Sequence, residues 1–301
     1  ITKRDILNAF YYRKKSIDLG MAMAGETRHI IDWLYGINLS RILTKSLWHY
    51  TRKYVLSIGR VQGPTLKIIL QREREIENHK PEEYYVLTVI ASRGNIRIKA
   101  NYKNKIKDKS EAERIKNSIG KYLRVVDIKR NRVLEPPPHP YNLIDIQVDA
   151  YKLYRISPKT TLDILQKLYE KGYVSYPRTS SERLPDTIDF KGIIKSLGEI
   201  REYNLYSKIL MEKGILRPNN GKKDDVHPAI HPTGLIPDKL DKKEFLIYDL
   251  VVRRFLATFM DHAVVEDIEI ILNNDLIFDY RKCISKGWMI VYWKFLSNNF
   301  L

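Results

Sequence analysis

The 301-residue sequence predicts an α+β multidomain protein, mainly α-helical domains with a β-rich part. Three observations carry this. The hydrophobic period runs helical, alternating, helical and alternating again along the chain. A stiff proline run, Pro136-Pro137-Pro138 with Pro140, separates the first β pattern from the second helical one. The length suits two or three domains, and 44% apolar residues are enough to bury cores and exclude a disordered tail.

Residues 1–79 read as helical, with amphipathic spacing at Ile30, Ile31, Leu34 and Tyr35 and again at Leu66, Ile69 and Leu70. The alternating Arg and Glu of 72–77 form a solvated helical face, and Pro81 ends that helix. Tyr84–Ala91 and Asn95–Tyr102 flank Ser92-Arg93-Gly94 as a predicted β-hairpin. A helix over Ser110–Ile119 and a strand over Leu123–Asp127 come next. Beyond the prolines, Asn142 caps a helix running to Tyr154. Ser157-Pro158 opens another, which Gly172 closes. Glu244–Phe259 reads as an amphipathic helix, and alternation returns at Val264–Leu272 and Trp288–Phe295. β patterns on both sides of a helical stretch predict one sheet domain interrupted by a helical insert.

The formal charge is +17, from 53 Lys and Arg against 36 Asp and Glu, which calls for a polyanionic partner. The excess is uneven: residues 1–80 hold 15 basic and 7 acidic side chains, and residues 93–132 hold 14 and 4. Such concentration suits phosphate binding, although Lys103, Lys105, Lys107 and Lys109 read equally as a solvated loop. The 20 tyrosines could add stacking platforms for bases, although most belong to core or rim. There is neither an 18-residue apolar run nor a secretory leader pattern, and the one cysteine, Cys283, fits a reducing compartment. The chain starts at Ile1 rather than Met, as expected of a processed protein or a piece of something longer.

The strongest chemical signal is Tyr173-Val174-Ser175-Tyr176-Pro177-Arg178-Thr179-Ser180. A tyrosine hydroxyl is a poor nucleophile unless neighbouring cations stabilise the charge that develops. Pro177 favours extended geometry at Tyr176, and in an extended segment Arg178 shares its face. A guanidinium fork matches phosphate oxygens, so the pair suits attack on a phosphodiester. Taken alone the pair is weak, because Tyr and Arg two apart are common. Two further segments strengthen it. Leu56-Ser57-Ile58-Gly59-Arg60-Val61-Gln62-Gly63-Pro64 puts small residues, an Arg and an amide ahead of a helix, where backbone N–H groups can approach phosphate. His227-Pro228-Ala229-Ile230-His231-Pro232-Thr233 has histidines at i and i+4, but its prolines deny the helix a zinc pair would need, so a His donating to phosphate is preferred.

Together and in order, these segments resemble the type IA DNA topoisomerases, most closely their archaeal topoisomerase I/III branch. The resemblance covers nearly the whole chain: Ile1-Thr2-Lys3-Arg4, then Arg28, Asp32 and Gly36 with Leu39-Ser40, the Gly59-Arg60-Val61-Gln62 motif, the Arg72–Ile76 run, Pro136–Leu143, Ser157–Glu170, Ser175–Ser180, His227–Thr233 and Gly287-Trp288. It implies a toroid of which this chain is a central fragment. Residues 1–83 would be a helical base segment with a single-strand DNA groove, 84–135 the first part of a β-rich arch, 136–260 the helical nucleophile domain and 261–301 the return of the arch. It implies that Tyr176, not Tyr173, attacks a single-stranded DNA phosphodiester to form a 5′-phosphotyrosyl link, with Arg178 holding the phosphate and His227 assisting. Arg28, Asp32, Ser57, Ile58, Gly59, Arg60, Val61 and Gln62 would form the groove.

The resemblance also implies Mg²⁺ for the full-length enzyme, held by a Glu and an Asp-x-Asp-x-Glu motif of a Toprim domain. That motif is absent from the sequence, and Asp224-Asp225 stands in another context, so the metal ligands are expected ahead of Ile1 and no metal site within this chain. Trp33, His139 and His231 depart from residues common in relatives. The expectation is an isomerase, present here in incomplete form, that breaks and rejoins one DNA strand and relaxes negative supercoils without ATP. It would act on DNA, preferentially single-stranded, as a cytoplasmic monomer with no membrane contact. The alternative is a non-catalytic single-stranded DNA-binding module in which Tyr176 is merely packed. A recombinase would carry its Tyr late on a helix, and a rolling-circle initiator would show two His separated by one apolar residue, which this sequence lacks.

Overall fold

The computed structural model describes residues 3–50, 54–224 and 227–292. Ile1-Thr2, Asp225 and the predicted run beyond Tyr292 to Phe295 and on to Leu301 lie outside the described residues. The chain forms two compact units, one of them Lys3–Glu83 and the other beginning at Tyr84.

The first unit is helical, as predicted: α1 Lys3–Tyr11, α2 Leu19–Ser46 and α3 Gln62–Glu77. Asp18 caps α2 by accepting the Met21 N–H. α3 stops at Asn78, three residues ahead of Pro81, because the position before a proline is pushed out of helical geometry. At 28 residues α2 is the long element, with Thr44 as its buried residue.

The second unit joins one sheet to a helical insert. Five antiparallel strands, β1 Thr88–Arg93, β2 Ile96–Tyr102, β3 Val125–Glu135, β4 Ala263–Leu272 and β5 Leu276–Ser285, lie in the order β1-β2-β5-β4-β3. The predicted hairpin closes with Arg93 opposite Ile96 across Gly94-Asn95, and Gly94 takes the positive φ that a two-residue turn requires. α4 Lys109–Ser118 is capped by Asp108. The first and last parts of this unit thus share one sheet, as the split β pattern predicts. Strand lengths differ from expectation. β3 extends past Asp127 to Glu135 because β4 offers pairing partners as far as Ala263. β5 carries no sequence expectation; pairing to β4 creates it.

Between β3 and β4 lie α5 Leu143–Tyr154, α6 Pro158–Glu170, α7 Phe190–Leu197, α8 Asn204–Glu212 and α9 Lys242–Ala257. Asn142 and Ser157 cap α5 and α6 as predicted, accepting the Asp145 and Thr160 N–H groups. The amphipathic reading of Glu244–Phe259 needs correction. From Ile247 to Ala257 nearly every α9 side chain is buried, because α5, α6 and a short helix near the end of the described residues, α10 Met289–Tyr292, pack around it. Two arginines on α9, Arg253 buried and Arg254 half-buried, make this feasible. Arg253 bonds Asp249 and the Val291 carbonyl, while Arg254 donates to the His139 carbonyl and lies over the Tyr141 ring at 4.5 Å.

The strand predicted over Trp288–Phe295 is also corrected: its described part is a short helix, α10 Met289–Tyr292. Alternation there reflects docking rather than pairing, since the Trp288 indole donates to the Glu135 carbonyl and its backbone N–H to the Asp261 carbonyl. Gly287 precedes it with φ +46, and a Cβ would collide with the His262 carbonyl. Gly287→Ala should therefore lower the stability of this unit by more than about 1 kcal/mol, read from thermal unfolding followed by tryptophan fluorescence. An unchanged midpoint would mean the turn relaxes freely.

Candidate active site

Two motifs far apart in sequence are sewn together here. Gly172, at φ +78, turns the chain out of α6, and the residues after it run antiparallel to 229–233. Val174 bridges Pro232, the Ser175 N–H bonds the His231 carbonyl at 2.9 Å, and the Thr233 N–H bonds the Tyr173 carbonyl at 3.1 Å. The Ser175 hydroxyl accepts the His231 N–H at 3.0 Å and donates to the Ala229 carbonyl at 3.3 Å. Prolines at 228 and 232 forbid helix, which leaves this backbone free for ladder bonds.

The consequence is a ring pair. Tyr176 and His227 stand with centroids 4.6 Å apart, and Tyr169 of α6 meets Tyr176 edge-on at 5.5 Å. Tyr176 is half-buried, so its ring is held while part of it meets solvent. Contrast the core tyrosines Tyr141 and Tyr203: burial raises their pKa values, keeping them neutral and away from chemistry. Pro177 and Thr179 are buried, and the Thr179 carbonyl accepts the Leu143 N–H at the start of α5. Arg178 is exposed between these two anchors. The chain bends at Pro177, so the straight-strand rule that puts i and i+2 on one face does not carry from Tyr176 to Arg178. An open cleft of about 530 Å³ adjoins His227, lined also by Arg183, Asp186, Lys223 and Asp224.

The second histidine of the motif goes elsewhere. His231 is buried, its Nδ1 2.8 Å from the Ala229 carbonyl and its ring stacked towards Phe255. Burial holds its pKa below the ordinary histidine value, so folding favours the neutral ring. Its contribution to stability is present above the unfolded value of about 6.5 and lost as pH falls through the folded one. The thermal midpoint should therefore drop further between about pH 7 and about pH 5 in the parent than in His231→Asn. Equal drops would assign the acid sensitivity to other groups.

The predicted groove residues belong to the helical unit. Arg28, Asp32, Ser40 and Thr44 keep to one i, i+4 row of α2, and residues 56–60 run along it. Asp32 is engaged by arginines. Arg60 reaches it through two nitrogens, with Nε 2.5 Å from one carboxylate oxygen, and Arg28 lies 3.8 Å away. Asp32 therefore holds guanidinium groups in place, and a carboxylate would in any case repel phosphate. Ser57 is exposed, Ile58 and Gly59 are half-buried, and Val61 precedes Gln62 at the start of α3 with no side chain capping the helix. Sequence reasoning gave no role to Thr44 or Tyr169; a Ser and a Thr four apart in an apolar helix were the available signal for the first.

Mg²⁺ does not fit the described residues: among them no three of His, Cys, Asp or Glu gather as a metal ion needs, and Asp224 is bonded by the Ser180 hydroxyl. No described helix is long and apolar enough to cross a membrane.

Residues 16–299 match the sequence profile of a family described as DNA topoisomerase. DNA topoisomerase 1 of Pyrococcus horikoshii is 44% identical over 306 residues, covering 99% of this chain and 45% of that protein. The Methanothermobacter thermautotrophicus DNA topoisomerase 1 is 37% identical over 97% of this chain and 41% of its own length. Full-length topoisomerase I from Thermotoga maritima is a structural neighbour with TM-score 0.72 and 28% identity, covering 100% of this chain and 50% of that one. The chain thus spans under half the length of these two archaeal relatives.

Proposed function

This chain belongs to the type IA DNA topoisomerase family, and from that premise we propose that Tyr176 is the nucleophile of a reaction that breaks and rejoins one DNA strand. The observation that carries the reading is the Tyr176–His227 ring pair, built by backbone bonds between two distant motifs. The Tyr176 hydroxyl oxygen attacks phosphorus in a single-stranded segment. A bond forms between the tyrosyl oxygen and phosphorus, which stays on the 5′ oxygen of the downstream strand, as the bond to the 3′ oxygen of the upstream strand breaks. The phenol gives up its proton and the departing 3′ oxygen gains one; His227, against the phenol ring, is the titratable group positioned to assist. Arg178, exposed and free of carboxylate partners among the described residues, holds the phosphate. One phosphodiester is exchanged for another, so resealing is the reverse step and needs no ATP.

Arg28, Asp32, Arg60, Gln62 and residues 57–61 form the groove for the strand, and residues 1–83, 84–135, 136–260 and 261–301 are its working division into base, arch, nucleophile domain and arch return. The partner is DNA, preferentially single-stranded, and the protein works as a cytoplasmic monomer that relaxes negative supercoils. Mg²⁺ serves the full-length enzyme through ligands outside the described residues, so no step here depends on it. The test is to incubate the protein with an end-labelled single-stranded oligonucleotide, with and without the implied metal-binding domain in trans, and denature. An adduct through the 5′ phosphate is expected, retaining a 3′ end label and releasing a 5′ label with the upstream fragment. An adduct through a 3′ phosphate would indicate a recombinase-like reaction, and binding without any adduct would indicate a non-catalytic module.

A further inference from the structure

Along α2, Asp32, Gly36, Ser40 and Thr44 stand four residues apart and form one row. Residues 56–60 lie antiparallel to it, and the pairing is made by hydroxyls. The Thr44 hydroxyl accepts the Leu56 N–H at 3.0 Å and donates to the Leu56 carbonyl at 3.2 Å. Ser40 repeats the pattern two residues on, accepting the Ile58 N–H at 2.9 Å and donating to its carbonyl at 3.3 Å. Gly36 comes next, where a Cβ would lie 3.9 Å from the Ile58 carbonyl, and Asp32 takes Arg60.

The spacing explains why this works. Four residues of helix rise about 6 Å and two residues of extended chain about 6.6 Å, so successive rungs stay in step. A hydroxyl donates and accepts at once, which lets one side chain satisfy both backbone groups of the residue opposite. Backbone groups alternate in direction along an extended segment, so with those of Leu56 and Ile58 turned to α2 those of Ser57 and Gly59 turn away from it; the Ser57 residue is exposed and Gly59 half-buried. A slip by one residue would exchange these two sets.

We propose that Ser40 and Thr44 are positioning residues for nucleic-acid binding: they fix the register of residues 56–60, so that Ser57 and Gly59 present their backbone N–H groups, and Arg60 its held guanidinium, to the phosphates of a single strand. This deepens the function proposed above and rests on it. Apolar packing against α2 would hold the segment without choosing which residues face outward; two hydroxyls choose.

The test measures binding of a labelled oligothymidylate to the parent, Ser40→Ala, Thr44→Val and the hydroxyl-preserving Ser40→Thr and Thr44→Ser, together with backbone amide exchange. Ser40→Ala should weaken binding about three- to tenfold and speed exchange at Ile58, and Thr44→Val should do the same at Leu56. Protection within α2 and α3 should persist. The salt dependence of binding should keep its slope, since no cation is removed. The hydroxyl-preserving variants should behave as the parent. Unchanged affinity despite lost protection at Ile58 or Leu56 would overturn the positioning role and leave the proposed function standing, as would unchanged protection in both variants. A parent that fails to bind the oligothymidylate would sink the function itself, and the positioning role with it.

Discussion

Tyr176→Phe is expected to abolish covalent capture of single-stranded DNA, by at least about 10³-fold, while leaving the fold and DNA binding intact. The substitution removes one oxygen and keeps the ring, so the contacts with His227 and Tyr169 survive. Tyr173→Phe is the control: it changes a neighbouring tyrosine of the same segment and should capture as the parent does. Denaturing gels with a labelled oligonucleotide read both. Capture by Tyr176→Phe at the parent's level would assign the nucleophile elsewhere. A thermal midpoint unchanged from the parent would show that lost capture reflects chemistry rather than unfolding. The ring pair makes the site local, because Tyr176, His227 and the backbone that aligns them all lie in the unit containing the helical insert.

Asp249→Ala should produce the largest loss of stability. Asp249 is 1% exposed and accepts Arg253 at 2.8 Å and the Tyr203 hydroxyl at 2.9 Å in the middle of α9. Removing it strands a buried guanidinium and a buried hydroxyl together. Breaking such a pair costs about 3–5 kcal/mol, since the remaining charge loses its compensation without regaining water. For a unit of roughly 200 residues that corresponds to a fall in thermal midpoint of about 10 °C. Replacing both partners, Asp249→Leu with Arg253→Met, should lose less than the single change, because no unpaired charge remains. If the double variant is less stable than Asp249→Ala, the pair contributes more than charge compensation. Arg253 also holds the Val291 carbonyl, so the single variant should loosen α10 first, and amide exchange in α10 would report it.

Most helices were legible because their signals are local. Asn142 and Ser157 are N-caps recognisable from residue type and from the helix-forming residues directly after them, and both cap as read. The hairpin at Gly94 is legible for the same reason. β5, the far half of β3 and the burial of α9 on all sides were not, because each depends on partners distant in the chain. Trp288 to Tyr292 misled by alternating apolar residues that serve to dock a short helix on Glu135 and Asp261.

The candidate site divides in the same way. Residue types suggested phosphate as a partner, and it was the family resemblance carried by their order that singled out Tyr176, Arg178, His227 and the stretch from Ser57 to Gln62, whose roles are proposals. The sequence by itself also suggested that a helical insert interrupts one sheet, from the changes of hydrophobic period, and the pairing of β3 with β4 and of β2 with β5 established it. Only the tertiary structure decided that the His227 ring lies tilted against Tyr176 while His231 is buried with its pKa held low, and that Asp32 holds arginines. It alone revealed that the Ser40 and Thr44 hydroxyls bond the backbone of Ile58 and Leu56, on which the proposed positioning role rests. The reason is physical: a side chain's chemistry is written in its identity, but its partner, its access to water and its direction depend on what the fold brings within about 3 Å of it.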